Sequence, residues 1–288
     1  MHSGRIRSGA DAVGPGAGEV PISQGVPALL RKGRQPLVGA LGAKSGRPRM
    51  PILSPAARKA IRQRMLLLRS AALERIRGLT GASAESLKTY RRELSESPLP
   101  DLLLARGAGG AFVQEFPQGG LLYLLVRAQR PRRVVETGVR PGYSTAWILS
   151  ALEANGEGRL TSLGPGSASG RAPGVHDVSV GQFVAPALRG RWTLALGNSE
   201  ERLGSILADG DGAVDLFFYD NGPDADRARF ELRSAWGSLG TNGILLAHHV
   251  EASPVWSEFC RAQGMPAQIL DPGPPPLGAL GMRRAGAA

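Results

Sequence analysis

The chain has 288 residues, 42% of them hydrophobic and 20% charged, with a formal net charge of +11, which is enough for one sizeable α/β domain with appendages. A single cysteine, Cys260, excludes a disulfide framework and a cysteine-based zinc site and fits a reducing compartment. No apolar run approaches the ~18 residues of a membrane span and no compact apolar signal core opens the chain, so a soluble, cytoplasmic protein is expected.

The positive charge is concentrated at one end. Residues 1–50 hold 8 Lys or Arg against 2 Asp or Glu, residues 51–80 hold 7 against 1, and the remaining 208 hold 20 against 21. A near-neutral remainder argues against a nucleic-acid substrate, whose phosphates need basic partners, and favours a small molecule. Residues 1–50 are rich in Gly, Pro, Ser and Arg without a sustained period. They are expected to be a disordered basic leader, either a tether or a dispensable stretch ahead of a start at Met50 or Met65.

A helical region is expected over 51–110. Ala57, Ile61, Met65, Leu68, Ala72, Ile76 and Leu79 recur every three or four residues and predict one amphipathic helix that Gly81 ends, with arginines over much of the other face. Such a basic helix can lie on an anionic membrane or dock on a partner. Its apolar stripe can equally pack on its own domain or on a second copy in a homo-oligomer. Ser83–Leu94 reads as a further helix starting at Ser83 or Ser86, Pro98 and Pro100 interrupt, and Gly119 and Gly120 precede the apolar segment Leu121–Gln129.

Residues 111–288 contain the stretch on which a function can be argued. Val134 and Val135 lead through Glu136 and Thr137 into a turn with Gly138 and Gly142, and an apolar helical pattern follows from Ser144 to Ala154, so the order is strand, tight turn, helix. Gly138 can take backbone angles closed to other residues, Gly142 lets a ligand approach, and Ser144 or Thr145 can cap the helix. Glu136, at the end of a buried strand, needs a polar partner, which a ligand bearing hydroxyl or amino groups would supply. The dinucleotide fingerprint places its acid about 20 residues later and wants glycine where Arg140 stands.

The acid-x-Gly-x-x-x-Gly spacing of Glu136, Gly138 and Gly142 instead resembles the opening motif of class I S-adenosylmethionine-dependent methyltransferases. With Tyr143, Ser144 and Thr145 following, it is most similar to a bacterial small-molecule methyltransferase domain family, over residues 110–285. The resemblance implies a doubly wound, Rossmann-like seven-stranded sheet, mostly parallel with a C-terminal antiparallel hairpin, and S-adenosylmethionine as cofactor. The second strand, Gly158–Leu163, would in the family end in an acid that binds the cofactor's ribose, and here the matching residue is Gly164. A ribose without that partner would lose charge-assisted hydrogen bonds of roughly 1.5–3 kcal/mol. The stretch 164–182 reads as a long loop carrying His176.

Phe183 to Trp192 then resembles the family's lead-in to the third strand, Thr193–Leu196, and the turn after it has Asn198 where an acid is usual, followed by Ser199. Val214–Tyr219 is the most apolar strand and ends at Asp220 and Asn221. Ala225–Trp236 reads as a helix, Gly243–Ala247 as the fifth strand ending in His248 and His249, Pro254–Gln263 as a short helix, and Ala267–Leu270 with Leu277–Met282 as the closing hairpin. Strands alternating with helices at this spacing require a parallel sheet with right-handed crossovers.

Ligands bind beyond the carboxyl ends of such strands. The resemblance therefore assigns Glu136, Thr137, Gly138, Gly142, Tyr143, Ser144, Asn198, Ser199 and Asp220 to the cofactor, and Asp220, His248 and His249 to the methyl acceptor. Related O-methyltransferases hold a divalent metal with the fourth-strand acid and an Asp-Asp or Asp-Asn pair at the last two positions; two imidazoles and one carboxylate favour a transition metal over magnesium. Three readings of the histidine pair stand side by side: metal ligands, a general base without metal, or a strand cap. Adjacent histidines on extended chain cannot both face one site without a bend. The expectation is a methyltransferase acting on a small molecule, at oxygen. The rival is a degenerate domain of the same fold that serves as a binding or scaffolding protein.

Overall fold

The computed structural model describes residues 54–106, 117–165, 179–210, 212–222, 224–273 and 275–281. The expected leader, 1–50, and His176 lie outside them.

The first helical stretch is two helices rather than one: α1, Pro55–Met65, and α2, Ser70–Thr80. Leu66, Leu67 and Leu68 in succession cannot all share one helical stripe. The break brings fully buried Met65 and partly buried Leu66 and Leu68 against the core and leaves Leu67 half exposed. Gly81 ends α2 at φ 71°, as expected. Ser83 caps α3, Ala84–Glu96, by accepting the Ser86 N–H. Pro98 and Pro100 start a helix instead of interrupting one. Pro100 falls in the first turn of α4, Leu99–Ala105, where a missing N–H costs nothing.

Gly119 and Gly120 lie inside α5, Gly119–Gln129, not ahead of it. A Cβ on Gly119 would collide with the buried Trp147 ring, and one on Gly120 would lie 2.9 Å from the Met65 carbonyl oxygen. Both glycines are there to let helices approach.

The remainder alternates as expected: β1 (Arg133–Thr137), α6 (Tyr143–Asn155), β2 (Arg159–Gly164), a 3-10 turn at Pro186–Arg191, β3 (Trp192–Leu196), α7 (Ser199–Ala208), β4 (Val214–Tyr219), α8 (Ala225–Ser238), β5 (Leu239–His248), α9 (Val255–Ala262), β6 (Ile269–Asp271) and β7 (Leu277–Gly281). The strands form one sheet in the order β3-β2-β1-β4-β5-β7-β6. β1 pairs in parallel with β2 and β4, and β7 runs antiparallel to both β5 and β6. This is the Rossmann-like, mostly parallel seven-stranded architecture with the closing hairpin.

Both faces of the sheet are covered, which is why β4 reads as continuous apolar sequence. Alternation sends Val134, Leu216 and Phe218 to the face under α5, α6 and the N-terminal helices, and Val135, Phe217 and Tyr219 to the face under α7, α8 and α9.

The N-terminal helices share the first of these cores. Arg69 fastens α2 to β6 by donating to both Asp271 oxygens, at 2.7 and 2.8 Å, and Arg75 donates to the Leu270 carbonyl. Asp271 is only 5% exposed, so Arg69→Ala leaves a carboxylate inside without its cation. Chemical denaturation is expected to show a loss of about 1–3 kcal/mol, and an unchanged midpoint would mean that the helical layer is not anchored there.

Candidate functional site

β1 and β4 come very close where both strands end. Gly138 sits at φ 91°, and a Cβ there would lie 2.7 Å from the Asn221 nitrogen and nearer still to the Asp220 carbonyl. Its N–H donates to the Leu163 carbonyl, while Asp220 N–H donates to the Thr137 carbonyl, both at 3.0 Å. The three strand ends are thus pinned around one glycine.

A cleft of about 370 Å³ opens above it, lined by Gly138, Arg140, Leu163, Gly164, Pro165, Gly197, Asn198, Ser199, Asp220, Asn221, Gly222 and Arg227. Its volume suits a small ligand, and it lies beyond the carboxyl ends of β1, β2 and β4. A larger hollow of about 800 Å³ lies between α2 and β6–β7. Arg75 is the one ionisable side chain among its described lining residues, whereas Arg140, Asp220 and Arg227 line the smaller cleft.

Of the residues expected to touch a ligand, Gly138, Asn198, Ser199 and Asp220 line the cleft, and Glu136, Thr137, Gly142, Tyr143 and Ser144 do not. Glu136 is fully buried and already has its polar partners: Ser144 and Thr145 hydroxyls donate to it at 2.6 and 2.7 Å, and Ser162 donates at 2.6 Å. The expected capping role of Ser144 and Thr145 gives way to this cage, and Gly142 itself caps α6 in a left-handed conformation. The indole N–H of Trp192 continues the chain by donating to the Ser162 hydroxyl at 2.9 Å. Burial pushes the Glu136 carboxyl above its usual pKa, and the three hydroxyls draw it partly back.

Gly142 makes room for protein rather than ligand. A Cβ on it would lie 3.0 Å from Val184 and 3.1 Å from Gly181. That segment is held on the glycine turn by hydrogen bonds from Gly181 N–H to the Arg140 carbonyl and from Phe183 N–H to the Pro141 carbonyl. Tyr143 packs edge to face on Trp147 inside the helical layer. At the end of β2, a Cβ on Gly164 would lie 3.0 Å from Val139 and 3.1 Å from Leu196, so these side chains occupy space that an acid at this position would need.

Asp220, His248 and His249 do converge. His248 Nδ1 lies 2.7 Å from Asp220 Oδ1, and a carboxylate only accepts, so Nδ1 carries the proton and Nε2 is the basic nitrogen. His249 takes φ 54°, the bend that extended chain lacks. One donor atom from each residue then lies within 4.8 Å of the other two. Burial, followed by the neighbouring His248, pushes the His249 pKa below its usual value. The two histidines border a hollow of about 20 Å³ that has Gly222 in common with the cleft, room for about one water.

Sequence reasoning missed Glu231. In α8 it shares the buried stripe with Ala228, Leu232 and Ala235, and a charged residue at that spacing was the available signal. It is fully buried and accepts from the Ser199 hydroxyl and, at 2.7 Å, from Asn221 Nδ2.

Residues 135–250 match the family model of the methyltransferase domain. This segment is similar to that family. No curated protein sequence matches the chain. Among solved structures, similarity extends to an O-methyltransferase from Bacillus cereus in complex with SAH (18% identity over 64% of this chain and 90% of that one, TM-score 0.47). A methyltransferase from Geobacter sulfurreducens shares 21% identity over 66% and 89% of the two chains, TM-score 0.46. An SAH-bound methyltransferase from Podospora anserina shares 19% over 73% and 74%, TM-score 0.38. Within the matched segment the glycine turn and the β4 end carry the cleft, and the residues around Glu136 support it from behind.

Proposed function

We propose that the domain transfers a methyl group from S-adenosylmethionine to a small molecule, at oxygen. The observation that carries this reading is the cleft over Gly138, inside the segment that matches the family. Bound there, S-adenosylmethionine would supply an electrophilic methyl group on a sulfonium, so the protein's work is alignment and exclusion of water. Gly138 leaves the approach open, and Asn198 and the Asn221 amide offer hydrogen bonds to a nucleoside without the acid that Gly164 replaces. His248, fixed by Asp220, keeps a basic nitrogen for the acceptor's proton.

The same trio supports a divalent transition metal, with two imidazoles and one carboxylate as ligands. Calorimetry on the full chain is expected to give micromolar affinity for S-adenosylmethionine; no heat at millimolar ligand would leave a scaffold of the same fold. Zinc is expected to bind at least tenfold more tightly than magnesium, with His249→Ala weakening zinc tenfold or more. Equal affinities, or none, would leave the histidines to proton transfer alone.

The near-neutral core supports a small, non-nucleic acceptor, and half-exposed Leu67, between α1 and α2, and Leu102, on α4, support a homo-oligomer. Among the described residues no helix is long and apolar enough to cross a membrane. The lone, buried thiol of Cys260 fits a cytoplasmic setting.

A further inference from the structure

The wall of the cleft carries two side chains whose donors are turned away from it. Ser199 gives its hydroxyl proton to Glu231, and Asn221 gives amide protons to Glu231 at 2.7 Å and to the Ser199 oxygen at 3.3 Å. Both residues line the cleft, whereas Glu231 lies wholly behind it. An asparagine amide offers two donors on nitrogen and acceptor positions on oxygen, and which end faces a ligand is set by its other partners. A carboxylate can only accept, so it selects the nitrogen.

We propose that Glu231 is a positioning residue that fixes the Asn221 amide with its nitrogen inward, so that the cleft offers the acceptor Oδ1 to hydroxyl or amino groups of a bound nucleoside. This supplies an acceptor from β4 where the end of β2 has only Gly164. A neutral acceptor recognises the same donors as a carboxylate, with weaker hydrogen bonds. Burial pushes the Glu231 carboxyl above its usual pKa, and the bonds from Ser199 and Asn221, with the Arg227 charge, draw it partly back. Its direct partners behind the wall are those two donors. The ligand half of this inference rests on the methyltransferase reading; the amide half does not.

The test compares Glu231→Gln, which keeps an acceptor oxygen at the same place, with Glu231→Met, which keeps the size and removes it. The full chain has four asparagines, at 155, 198, 221 and 242, so selective ¹⁵N labelling resolves the Asn221 side-chain amide, assigned by its loss in Asn221→Asp. Its protons are expected to exchange at least tenfold more slowly than those of exposed Asn198 in the wild type and in Glu231→Gln, and to lose that protection in Glu231→Met. Affinity for S-adenosylhomocysteine is expected to fall tenfold or more in Glu231→Met and to stay within threefold in Glu231→Gln; the stranded Ser199 and Asn221 donors also lower the melting temperature of Glu231→Met. A role limited to packing would lower stability and leave affinity unchanged. Undiminished Asn221 protection in Glu231→Met overturns the proposal. A wild type that binds no S-adenosylhomocysteine but shows the expected exchange pattern refutes the methyltransferase reading and leaves the amide orientation standing.

Discussion

Gly138→Ala is expected to cost about 2–5 kcal/mol of stability and to abolish binding in the cleft. Two effects add. At φ 91° a side chain strains the backbone by roughly 1–2 kcal/mol. The new methyl group would also meet the Asp220 carbonyl and the Asn221 nitrogen, 2.7 Å away. Those are backbone atoms just past the end of β4 and cannot rotate aside as a side chain can. Forcing β1 and β4 apart is an overpacking cost of about 1–3 kcal/mol, and it moves both strand ends that floor the cleft. Gly156→Ala is the control: its φ is 72°, but nothing lies within 4 Å of a Cβ there. It should lose only the backbone share and keep full affinity. Denaturant midpoints with calorimetric titration of S-adenosylhomocysteine separate the two variants, and equal losses would mean that the β1–β4 approach does not matter.

The second large effect belongs to Glu136. Removing its carboxylate in Glu136→Ala strands the hydroxyls of Ser144, Thr145 and Ser162 in a dry interior and opens a cavity, an expected loss of about 3–5 kcal/mol. Glu136→Gln keeps the shape and tests charge alone. Because burial raises the carboxyl's pKa in the folded chain above the ordinary value of 4.5, the folded state holds the proton more tightly than the unfolded one. Its contribution to stability is therefore complete below about pH 4.5 and is lost as pH rises through the raised folded value. Glu231 adds a slope of the same sign. Thermal melts from pH 4 to pH 8 are expected to show a shallower decline for Glu136→Gln than for the wild type. An identical decline in the two proteins would place the titration elsewhere.

Glu136 also marks how far reading the chain could go. Its importance was visible as an acid ending an apolar strand, but its direction was not. Strand alternation puts Glu136 on the Val134 face and Thr137 on the Val135 face, yet only the crossover through α6 decides that Ser144 and Thr145 descend onto the first of these faces. The acid therefore meets protein hydroxyls where a ligand was expected. The histidine pair is similar: two imidazoles after β5 were legible, and the left-handed turn at His249 that joins them to Asp220 was not. Glu231 went unnoticed because an acid in an arginine-rich helix looks like surface until its stripe is known to face β4.

The amino-acid order alone determined the alternation of strands and helices, the closing hairpin and the glycine at the β1 turn. Each of these follows from local periodicity or from backbone angles open to one residue type, and neither needs a distant partner. Which polar groups face the cleft and which hold it from behind was decided by packing. Hydrogen-bond partners such as Ser199 and Glu231, or Ser162 and Glu136, are far apart along the chain and are brought together only when the sheet and its helices close over one another.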